Sequence, residues 1–423
     1  MTTQTYDFPG LGLAEPVLRA LDAQGFTEPT PIQAQAIPHV LAGRDILGIA
    51  QTGTGKTGAF AWPLLQNLCE LAPDRRAPLP KRGCRALILA PTRELALQID
   101  ESIDVLRSRL SFRHTCIFGG VGRNPQVQVM ARGVDVLVGT PGRLLDLMST
   151  GDLRLDSVTH LVLDEADRML DMGFIQDVRK LIAKVPPARQ TMLFSATMPT
   201  EVAKLAGGIL RDPVRVEVTP EVVTVEKIEQ QVFHVDTKAK HDLLASLLRD
   251  PELSRVIVFT RTKHGANRVA DKLARAGVEA AAIHGNKSQN ARQRALGDFR
   301  EGATRVLVAT DIAARGIDVA DISHVINFEL PNVPESYVHR IGRTARAGRG
   351  GIALSFCAAD ERPYLRDIEK LTGVRLRETR HAAANDTGAA PRTERETETA
   401  TARPAGAGPV RRRRRGGRGR TAA

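Results

Sequence analysis

Residues 45–57 read Asp45-Ile-Leu-Gly-Ile-Ala-Gln-Thr-Gly-Thr-Gly-Lys-Thr57. The apolar run from Ile46 to Ile49 predicts a buried strand, and the residues after Thr57 predict a helix. The turn between them contains Gly53 and Gly55, which let backbone N–H groups curve around an anion because no Cβ stands in the way. We therefore expect a strand, an anion-binding turn and a helix in succession.

The end of this stretch adds a positive charge and a metal-binding hydroxyl. Lys56 can reach the β- and γ-phosphates of a nucleotide, and Thr57 can ligate Mg²⁺. The helix that follows turns its positive end toward the same anion. The pattern is that of a P-loop, with Ala50 at the first position where the general pattern has Gly. A glycine turn that only caps a helix is the alternative.

Length and composition indicate two globular domains and a tail. The 423 residues exceed one ordinary core, and 42% hydrophobic with 26% charged residues is typical of globular proteins. No apolar run approaches the ~18 residues of a membrane span, and the N-terminus lacks the features of a signal peptide. Scattered cysteines favour buried thiols in a reducing compartment over disulfides or zinc; they are Cys69, Cys84, Cys116 and Cys357. We expect a cytoplasmic protein.

Positive charge is concentrated at the C-terminus. The whole chain has a formal net charge of +12, which favours a polyanionic partner. Residues 381–423 contain ten Arg against four acidic residues, so about half of the excess lies there. Residues 381–410 have almost no large apolar side chains, which predicts disorder. The Arg-rich segment 411–420 is expected to bind phosphate backbones without sequence preference, although a solvated tail without a role is an alternative.

Upstream of the P-loop, residues 25–33 place Gln33 after two prolines that favour an extended turn. One Gln amide can donate to and accept from the edge of an adenine, which would select ATP over GTP. Taken alone, Gln33 fits an ordinary residue of a helix N-terminus better than an adenine-binding residue. Its position just before a P-loop favours the adenine-binding interpretation.

Short apolar runs then alternate with helical stretches, which predicts a parallel sheet wrapped by helices. In the first half these runs are 86–90, 115–118, 134–138, 160–163 and 191–194. Polar clusters follow them, at the strand ends where such sheets bind ligands. Asp164 ends one run and can hold Mg²⁺ through water, and the adjacent Glu165 can orient or deprotonate a water molecule. A helix cap is the alternative for this acidic pair.

The alternation restarts after an extended segment, 216–226, which we interpret as a linker. The second set of apolar runs is 256–259, 280–283, 305–309, 324–327 and 351–356. This half lacks a P-loop but has two Arg-bearing loops, 309–318 and 339–349. Arg residues spaced by three share one helical face, which is either a solvated basic face or a source of positive charge for the γ-phosphate when the domains close.

These motifs, in this order, resemble those of the DEAD-box family of ATP-dependent RNA helicases over about residues 6–372. Asp164-Glu165-Ala166-Asp167 matches the tetrad that names the family, and Ala50 is a usual family choice. The resemblance implies an α/β fold of two RecA-like domains. The domains we expect are an N-terminal segment with the Q motif (1–40), domain 1 (41–215), the linker (216–226), domain 2 (227–375) and a basic tail (376–423).

The resemblance also implies site residues. Catalysis falls on Lys56, Asp164, Glu165, Arg343 and Arg346, with Mg²⁺ held through water by Thr57 and Asp164. ATP binding falls on Phe8, Phe26, Gln33, Gln51, Thr52, Gly53, Thr54, Gly55, Lys56, Thr57, Asp311, Gly316 and Asp318. RNA contacts fall on Thr92, Arg93, Gly119, Gly120, Thr140, Arg143, Arg261, Gly285, Gln289, Arg292 and Thr310. Coupling of hydrolysis to strand separation falls on Asp167, Ser195, Thr197 and His339. Ala345 stands where many members have Gly.

The expected mechanism is closure of two domains by ATP and single-stranded RNA, which predicts local, non-processive unwinding. Backbone contacts imply little sequence specificity and selection of RNA through its 2′-OH. Proteins of ribosome assembly or RNA decay are possible partners. Two other classes of protein remain open. One is a DNA translocase that uses the same two-domain ATPase, and the other is an RNA-annealing protein whose ATPase activity is incidental.

Overall fold

Two parallel seven-stranded sheets flanked by helices organise the chain. The computed structural model describes residues 7–51, 53–70, 81–218, 228–314, 319, 321–345 and 350–379. The sheets have the strand orders β3-β4-β2-β5-β6-β1-β7 and β10-β11-β9-β12-β13-β8-β14. We refer to residues 7–218 as the first lobe and to residues 228–379 as the second lobe.

The first lobe contains nine of the described helices and the first sheet. Its strands are β1 (Ile46–Ile49), β2 (Cys84–Leu89), β3 (His114–Ile117), β4 (Val134–Gly139), β5 (His160–Leu163), β6 (Gln190–Ser195) and β7 (Val214–Glu217). Its helices are α1 (Glu15–Asp22), α2 (Pro31–Leu41), α3 (Lys56–Glu70), α4 (Arg93–Asp104), α5 (Arg123–Met130), α6 (Pro141–Ser149), α7 (Ala166–Asp171), α8 (Ile175–Ile182) and α9 (Thr200–Ile209).

The second lobe repeats this arrangement with six described helices. Its strands are β8 (Ile228–His234), β9 (Val256–Thr260), β10 (Ala280–Ile283), β11 (Val306–Thr310), β12 (His324–Asn327), β13 (Gly351–Cys357) and β14 (Arg377–Glu378). Its helices are α10 (Lys240–Leu247), α11 (Lys263–Arg275), α12 (Gln289–Glu301), α13 (Asp311–Ala314), α14 (Pro334–Ile341) and α15 (Arg362–Thr372).

The predicted C-terminal boundary of each domain needs correction. Val216 and Glu217 were assigned to the linker, but they belong to β7, which pairs in parallel with β1. Leu376 was assigned to the tail, but it is buried, and β14 follows it and pairs with β8. These predictions were wrong because edge strands are short and half-exposed, so their apolar pattern is weak. The remainder of the linker (219–227) and the tail from 380 onward lie outside the described residues.

The predicted N-terminal segment shares the core of the first lobe. Ile32 and Ile37 of α2 are fully buried in the same cluster as Ile46 of β1. Gly48 lets the Phe194 ring of β6 lie directly against β1 in this core, because a Cβ at Gly48 would overlap the ring. The segment before the P-loop is therefore held rigidly against the strand that leads into it.

A buried ion pair ties the start of α10 to the start of α15 in the second lobe. The Lys240 ammonium pairs with Glu361, and both side chains are 2% exposed. Lys240 Nζ also donates to the Phe328 carbonyl at 2.8 Å and to the Phe356 carbonyl at 3.3 Å. Glu361 accepts from the backbone N–H of Ala358 at 3.0 Å. Each charge is thus satisfied only while its partners are present.

We expect Lys240→Met to lower the free energy of unfolding by about 3 kcal/mol, because it removes the closest counter-charge of the buried Glu361 carboxylate and leaves only Arg261, at 3.7 Å. Urea denaturation of the full chain measures this loss. The double variant Lys240→Met/Glu361→Gln should recover part of it. Arg19→Met is the control, since its pair with Glu15 is about two-thirds exposed and is expected to contribute less than about 1 kcal/mol. A loss of less than about 1 kcal/mol in Lys240→Met would contradict the prediction.

Candidate active site

The turn between β1 and α3 has the conformation that an anion-binding loop requires. Gly53 and Gly55 adopt φ angles of 85° and 91°, which favour glycine. Thr54 Oγ1 donates to the Gln51 carbonyl at 2.7 Å and tightens the turn. Lys56 begins α3, is 6% exposed, and donates from Nζ to the Ala50 carbonyl at 2.8 Å. The ammonium is therefore held at the loop by a carbonyl that a phosphate can replace.

A cavity of about 300 Å³ opens beside this loop. It brings together residues that are far apart in the sequence. The lining residues are Phe26, Gln33, Gly53, Gly55, Lys56, Thr57, Gly58, Trp62, Leu95, Gln98, Ser102, Asp164 and Glu165. Six of the predicted nucleotide-site residues of the first lobe thus lie beside the two acidic residues. They come from α2 and the segment before it, from the loop that leads into α3 and from α3 itself, whereas the acidic residues follow β5.

Gln33 contacts the loop directly. Its Oε1 accepts from the Thr30 N–H at 2.9 Å, and its Nε2 donates to the Gly55 carbonyl at 3.1 Å. A Cβ on Gly55 would lie 2.6 Å from Gln33 Nε2, so glycine is needed for this approach. One amide hydrogen and one lone pair of Gln33 stay available by valence. Hydrogen bonds to Thr30 at the start of α2 and to Gly55 in the loop therefore fix the orientation of the Gln33 amide beside the cavity.

Phe8 is not among the residues that line the cavity, and its contact with the nucleotide stays a prediction. The Phe8 ring is 4% exposed and packs against Trp62 with the ring centroids 5.6 Å apart. Trp62 itself lines the cavity, and the sequence interpretation missed it. Its spacing of four residues from Gly58 on α3 was the available signal, because residues so spaced share one helical face.

Asp164 and Glu165 follow β5 and enter the cavity with different environments. Asp164 is 1% exposed, and its Oδ1 has no hydrogen-bond partner among the described residues. Burial raises the pKa of Asp164 to about 6, although nearby Lys56 opposes this shift. Glu165 adopts φ 55° and ψ 53°, a left-handed conformation that is uncommon outside glycine and is often found at functional sites. Its Oε2 accepts from Arg168 Nη1 at 2.8 Å.

The donor set fits magnesium that binds together with phosphate and water. Mg²⁺ prefers oxygen ligands and commonly uses one or two protein groups besides substrate phosphates. Thr57 offers a hydroxyl and Asp164 a buried carboxylate oxygen that lacks a partner, and both line the same cavity. Within the described residues no group of three or more His, Cys, Asp or Glu side chains could hold a metal. The two oxygen donors therefore suit a nucleotide-bound ion.

The predicted coupling motif is bonded back to the acidic tetrad. Ser195 Oγ accepts from the Asp167 N–H at 3.1 Å. Asp167 Oδ2 accepts from the N–H and the Oγ1 of Thr197, both at 2.9 Å. The end of β6 is thus locked to the start of α7, directly after the two acidic residues.

The second Arg-bearing loop, 339–349, was predicted to place its Arg residues on one helical face, but the helix ends before Arg343. Helix α14 ends at Ile341, so Arg343 lies in the turn that follows, where it is 4% exposed and donates from Nε to the His339 carbonyl at 3.3 Å. The spacing argument does not apply to Arg343, because Gly342 caps the helix directly after Ile341. Ala345 has φ 56°, a conformation that favours the Gly found in many family members.

Asp311 is engaged by another residue of this loop. Arg340, 1% exposed, donates from Nε to Asp311 Oδ1 at 2.5 Å and from Nη2 to Oδ2 at 2.8 Å. The same guanidinium lies over the Phe259 ring, 5.1 Å from its centroid. Asp311, His339, Arg340 and Arg343 line a small second-lobe pocket. The pairing fixes Asp311 beside Arg343, and the sequence interpretation gave Arg340 no role.

Predicted RNA contacts of the first lobe converge on a group of guanidiniums. The Arg93 guanidinium lies against Gly120, where a Cβ would overlap it. Arg143 donates from Nη1 to Gln126 Oε1 at 3.1 Å and from Nη2 to the Val121 carbonyl at 3.2 Å. Burial lowers the pKa of Arg93; the Glu94 carboxylate opposes this shift, and the nearby Arg292 and Arg143 charges add to it. Three guanidiniums thus lie close together, an arrangement that a bound phosphate would stabilise further.

Two predicted RNA contacts of the second lobe join this group. Gln289 Oε1 accepts from Arg93 Nη1 at 3.2 Å, and Arg292 donates from Nε to Glu94 Oε1 at 2.8 Å. Arg261 lies elsewhere and donates from Nη1 to Asn332 Oδ1 at 3.2 Å. The other predicted contacts stand at strand ends, helix starts or loops; these are Thr92, Gly119, Thr140, Gly285 and Thr310.

Some predicted site residues lie outside the described residues, namely Thr52, Gly316, Asp318, Arg346 and the basic segment 411–420. Of the helices that the structure does describe, none has the length and apolar character to cross a membrane.

The chain is similar to known helicases over most of its length. The DEAD/DEAH box helicase family model matches residues 30–205, and that of the helicase conserved C-terminal domain matches residues 239–348. The DEAD-box ATP-dependent RNA helicase CshA of Bacillus cereus is 44% identical over 367 residues, covering 86% of this chain and 68% of the relative. The DEAD-box ATP-dependent RNA helicase 30 of Arabidopsis thaliana is 43% identical over 369 residues, covering 86% and 61%.

Solved structures show the same fold. Dbp5 of S. cerevisiae, bound to RNA and ADP BeF3, is 34% identical with a TM-score of 0.76, covering 88% of this chain and 95% of that one. The DEAD-box helicase Mss116, bound to ssRNA and UDP-BeF, is 26% identical with a TM-score of 0.78, covering 90% and 81%. The motifs, the two sheets and these relatives agree, and the chain belongs to the DEAD-box helicase family.

Proposed function

We propose that this chain is an ATP-dependent RNA helicase that couples RNA-stimulated ATP hydrolysis to local, non-processive unwinding of short RNA duplexes or to remodelling of RNA–protein complexes. The observation that carries the proposal is the first-lobe cavity. There the loop lysine, the orphaned carboxylate oxygen of Asp164 and the strained Glu165 face one space. Family membership supports the same activity.

At the phosphate end, Lys56 exchanges the Ala50 carbonyl for the β- and γ-phosphates, and the loop N–H groups surround them. Thr57 and Asp164 would hold magnesium through water, and the ion would neutralise phosphate charge when bound. Asp164 has a raised pKa but remains mostly ionised near pH 7, as a metal ligand must be. Lys56 therefore supplies charge, and Asp164 supplies the anchor for the ion.

Glu165 orients the attacking water and accepts its proton. The Arg168 guanidinium holds the Glu165 carboxylate from the side, at 2.8 Å. A general base must be held within hydrogen-bond reach of the proton that it accepts. The Asp167–Ser195–Thr197 bonds attach the same segment to β6, so a change at the γ-phosphate can reach the end of that strand.

Arg343 and Arg346 of the second lobe provide positive charge for the transition state. An arginine from a neighbouring domain makes hydrolysis depend on domain closure. RNA binding by Arg93, Arg143, Arg292 and Gln289 draws residues of both lobes onto one phosphate backbone. ATP and RNA then stabilise the closed form together, because each binds it better than the open form.

We also propose that the basic segment 411–420 helps to load RNA, and that the protein acts in the cytoplasm with proteins of ribosome assembly or RNA decay as possible partners. The cytoplasmic assignment rests on the buried thiols of Cys84 and Cys357, which are not paired in a disulfide.

The test is steady-state ATPase activity with no nucleic acid, with single-stranded RNA and with DNA of the same sequence. We expect stimulation by RNA alone, loss of activity with excess EDTA, and no activity in Lys56→Ala. A version that ends at residue 380 should need more RNA for half-maximal stimulation if the basic segment loads RNA.

Equal stimulation by DNA would favour a DNA translocase, and an unchanged cellular role of Lys56→Ala would favour an annealing protein. Unwinding of long duplexes without reloading would contradict the non-processive mechanism.

A further inference from the structure

Trp62 is the one tryptophan in the chain, and it stands in the wall of the nucleotide cavity. It is 3% exposed and lies on α3, the helix that begins at the phosphate-binding loop. Helical side chains point back toward the N-terminus, so the indole covers the turn of α3 that contains Gly58. The same side chain therefore belongs to the core and to the cavity.

Gly58 is the point at which Trp62 and Gln33 converge. A Cβ on Gly58 would lie 2.7 Å from Trp62 Cη2 and 2.7 Å from Gln33 Nε2. The indole and the amide thus approach one bare backbone position from two sides. Because the Gln33 amide and the indole both lie against Gly58, the indole limits the positions that the amide can adopt.

Trp62 also supports an aromatic ring at the mouth of the cavity. The Phe26 ring is 46% exposed and meets the indole with centroids 5.3 Å apart and planes at 60°. On the other side, the buried Phe8 ring meets it at 5.6 Å and 71°. Edge-to-face pairs at this spacing stabilise the arrangement beyond the burial of apolar surface alone. Phe8 therefore holds Trp62, and Trp62 holds Phe26.

We propose that Trp62 is the positioning residue of the base end of the nucleotide cavity. It sets the plane of Phe26, against which a purine stacks, and the location of the Gln33 amide, which reads the edge of the base. Trp62 thereby contributes to the preference for ATP over other nucleoside triphosphates. The proposal rests on the ATP site proposed above, and it gives Phe8 an indirect role through the indole.

The contrasting account is that Trp62 only fills the core. Removing it would then destabilise the lobe, but nucleotide affinity and base selection would not change specifically. Phe60 separates the two accounts, because it lies two residues earlier on α3, is fully buried, and packs against Phe194 instead of the cavity. Phe60→Leu is therefore a matched control for loss of an aromatic core residue from the same helix.

The experiment compares Trp62→Leu, Trp62→Phe and Phe60→Leu in the full chain with saturating RNA. For Trp62→Leu we expect the KM for ATP to rise about tenfold with kcat within about twofold, because base binding is lost without a change at the phosphates. The ratio of kcat/KM for ATP to that for GTP should fall by about fivefold or more. Trp62→Phe should restore most of the affinity, and Phe60→Leu should lower Tm while leaving the KM near the native value.

A second readout uses the single tryptophan as a spectroscopic probe. Titration of the native chain with Mg·ADP should change the indole emission saturably, with a Kd equal to that from equilibrium dialysis of labelled ADP. Emission that stays constant while dialysis shows binding would overturn the proposal alone. So would a Trp62→Leu variant whose KM and base preference follow those of Phe60→Leu. A native chain that neither binds ADP nor hydrolyses ATP would overturn the ATP site itself.

Discussion

Glu165→Gln is expected to lower ATP turnover by about a thousandfold while ATP and RNA still bind, because a general base contributes about 10²–10⁴ to the rate. Gln cannot accept the proton of the attacking water. Its amide oxygen can still accept from Arg168, so the side chain keeps its orientation. The left-handed backbone at this residue is equally strained with either side chain, so the folded structure is retained.

Single-turnover hydrolysis and equilibrium binding of ATP separate the two effects. The control is Glu201→Gln, which changes an exposed glutamate of the same lobe that pairs with Lys204 at 2.9 Å. Its activity should equal that of the native chain. Turnover of Glu165→Gln within about tenfold of native would remove Glu165 from the role of base.

Arg343→Ala is expected to lower RNA-stimulated kcat by about a thousandfold, within the range that arginine fingers supply. Arg343 belongs to the second lobe and lines its small pocket, whereas the residues that line the ATP cavity are all in the first lobe. Affinity for ATP should therefore change little. Arg343→Lys should also be impaired, because an ammonium lacks the planar fork of donors that a phosphate oxygen pair accepts.

The measurement is kcat and KM for ATP at saturating RNA, with Tm recorded for each variant because Arg343 is buried. Arg366→Ala, an exposed change on α15, is the control for loss of one positive charge from this lobe. The assignment would be overturned if Arg343→Ala changed KM alone, or if kcat fell only in proportion to the folded fraction.

The two variants test different parts of one cycle. In the proposed cycle Glu165 acts within the first lobe, so its loss should also abolish hydrolysis in the absence of RNA. Arg343 is proposed to act across the lobes, so its loss should chiefly remove the stimulation by RNA. A similar loss of basal and stimulated activity in both variants would indicate that closure is not the step that RNA controls.

Much of both sheets could be predicted from the sequence. The bounds of β1, β5, β10 and β12 agree with the apolar runs, because each strand is a short and mostly apolar segment of the sequence. The phosphate loop was also predictable, since its chemistry lies in adjacent residues. The edge strands β7 and β14 were missed because only pairing with β1 and β8 identifies them.

The sequence by itself determined the parallel sheets, the phosphate-binding loop, the acidic pair and the order of the family motifs, since each depends on neighbouring residues. Tertiary structure alone decided that Trp62, rather than Phe8, lines the cavity, that Asp164 has an unsatisfied oxygen, and that Arg340 holds Asp311. The physical reason is that burial and orientation depend on residues far apart in the chain. Local patterns specify which groups are available, whereas packing specifies which of them meet.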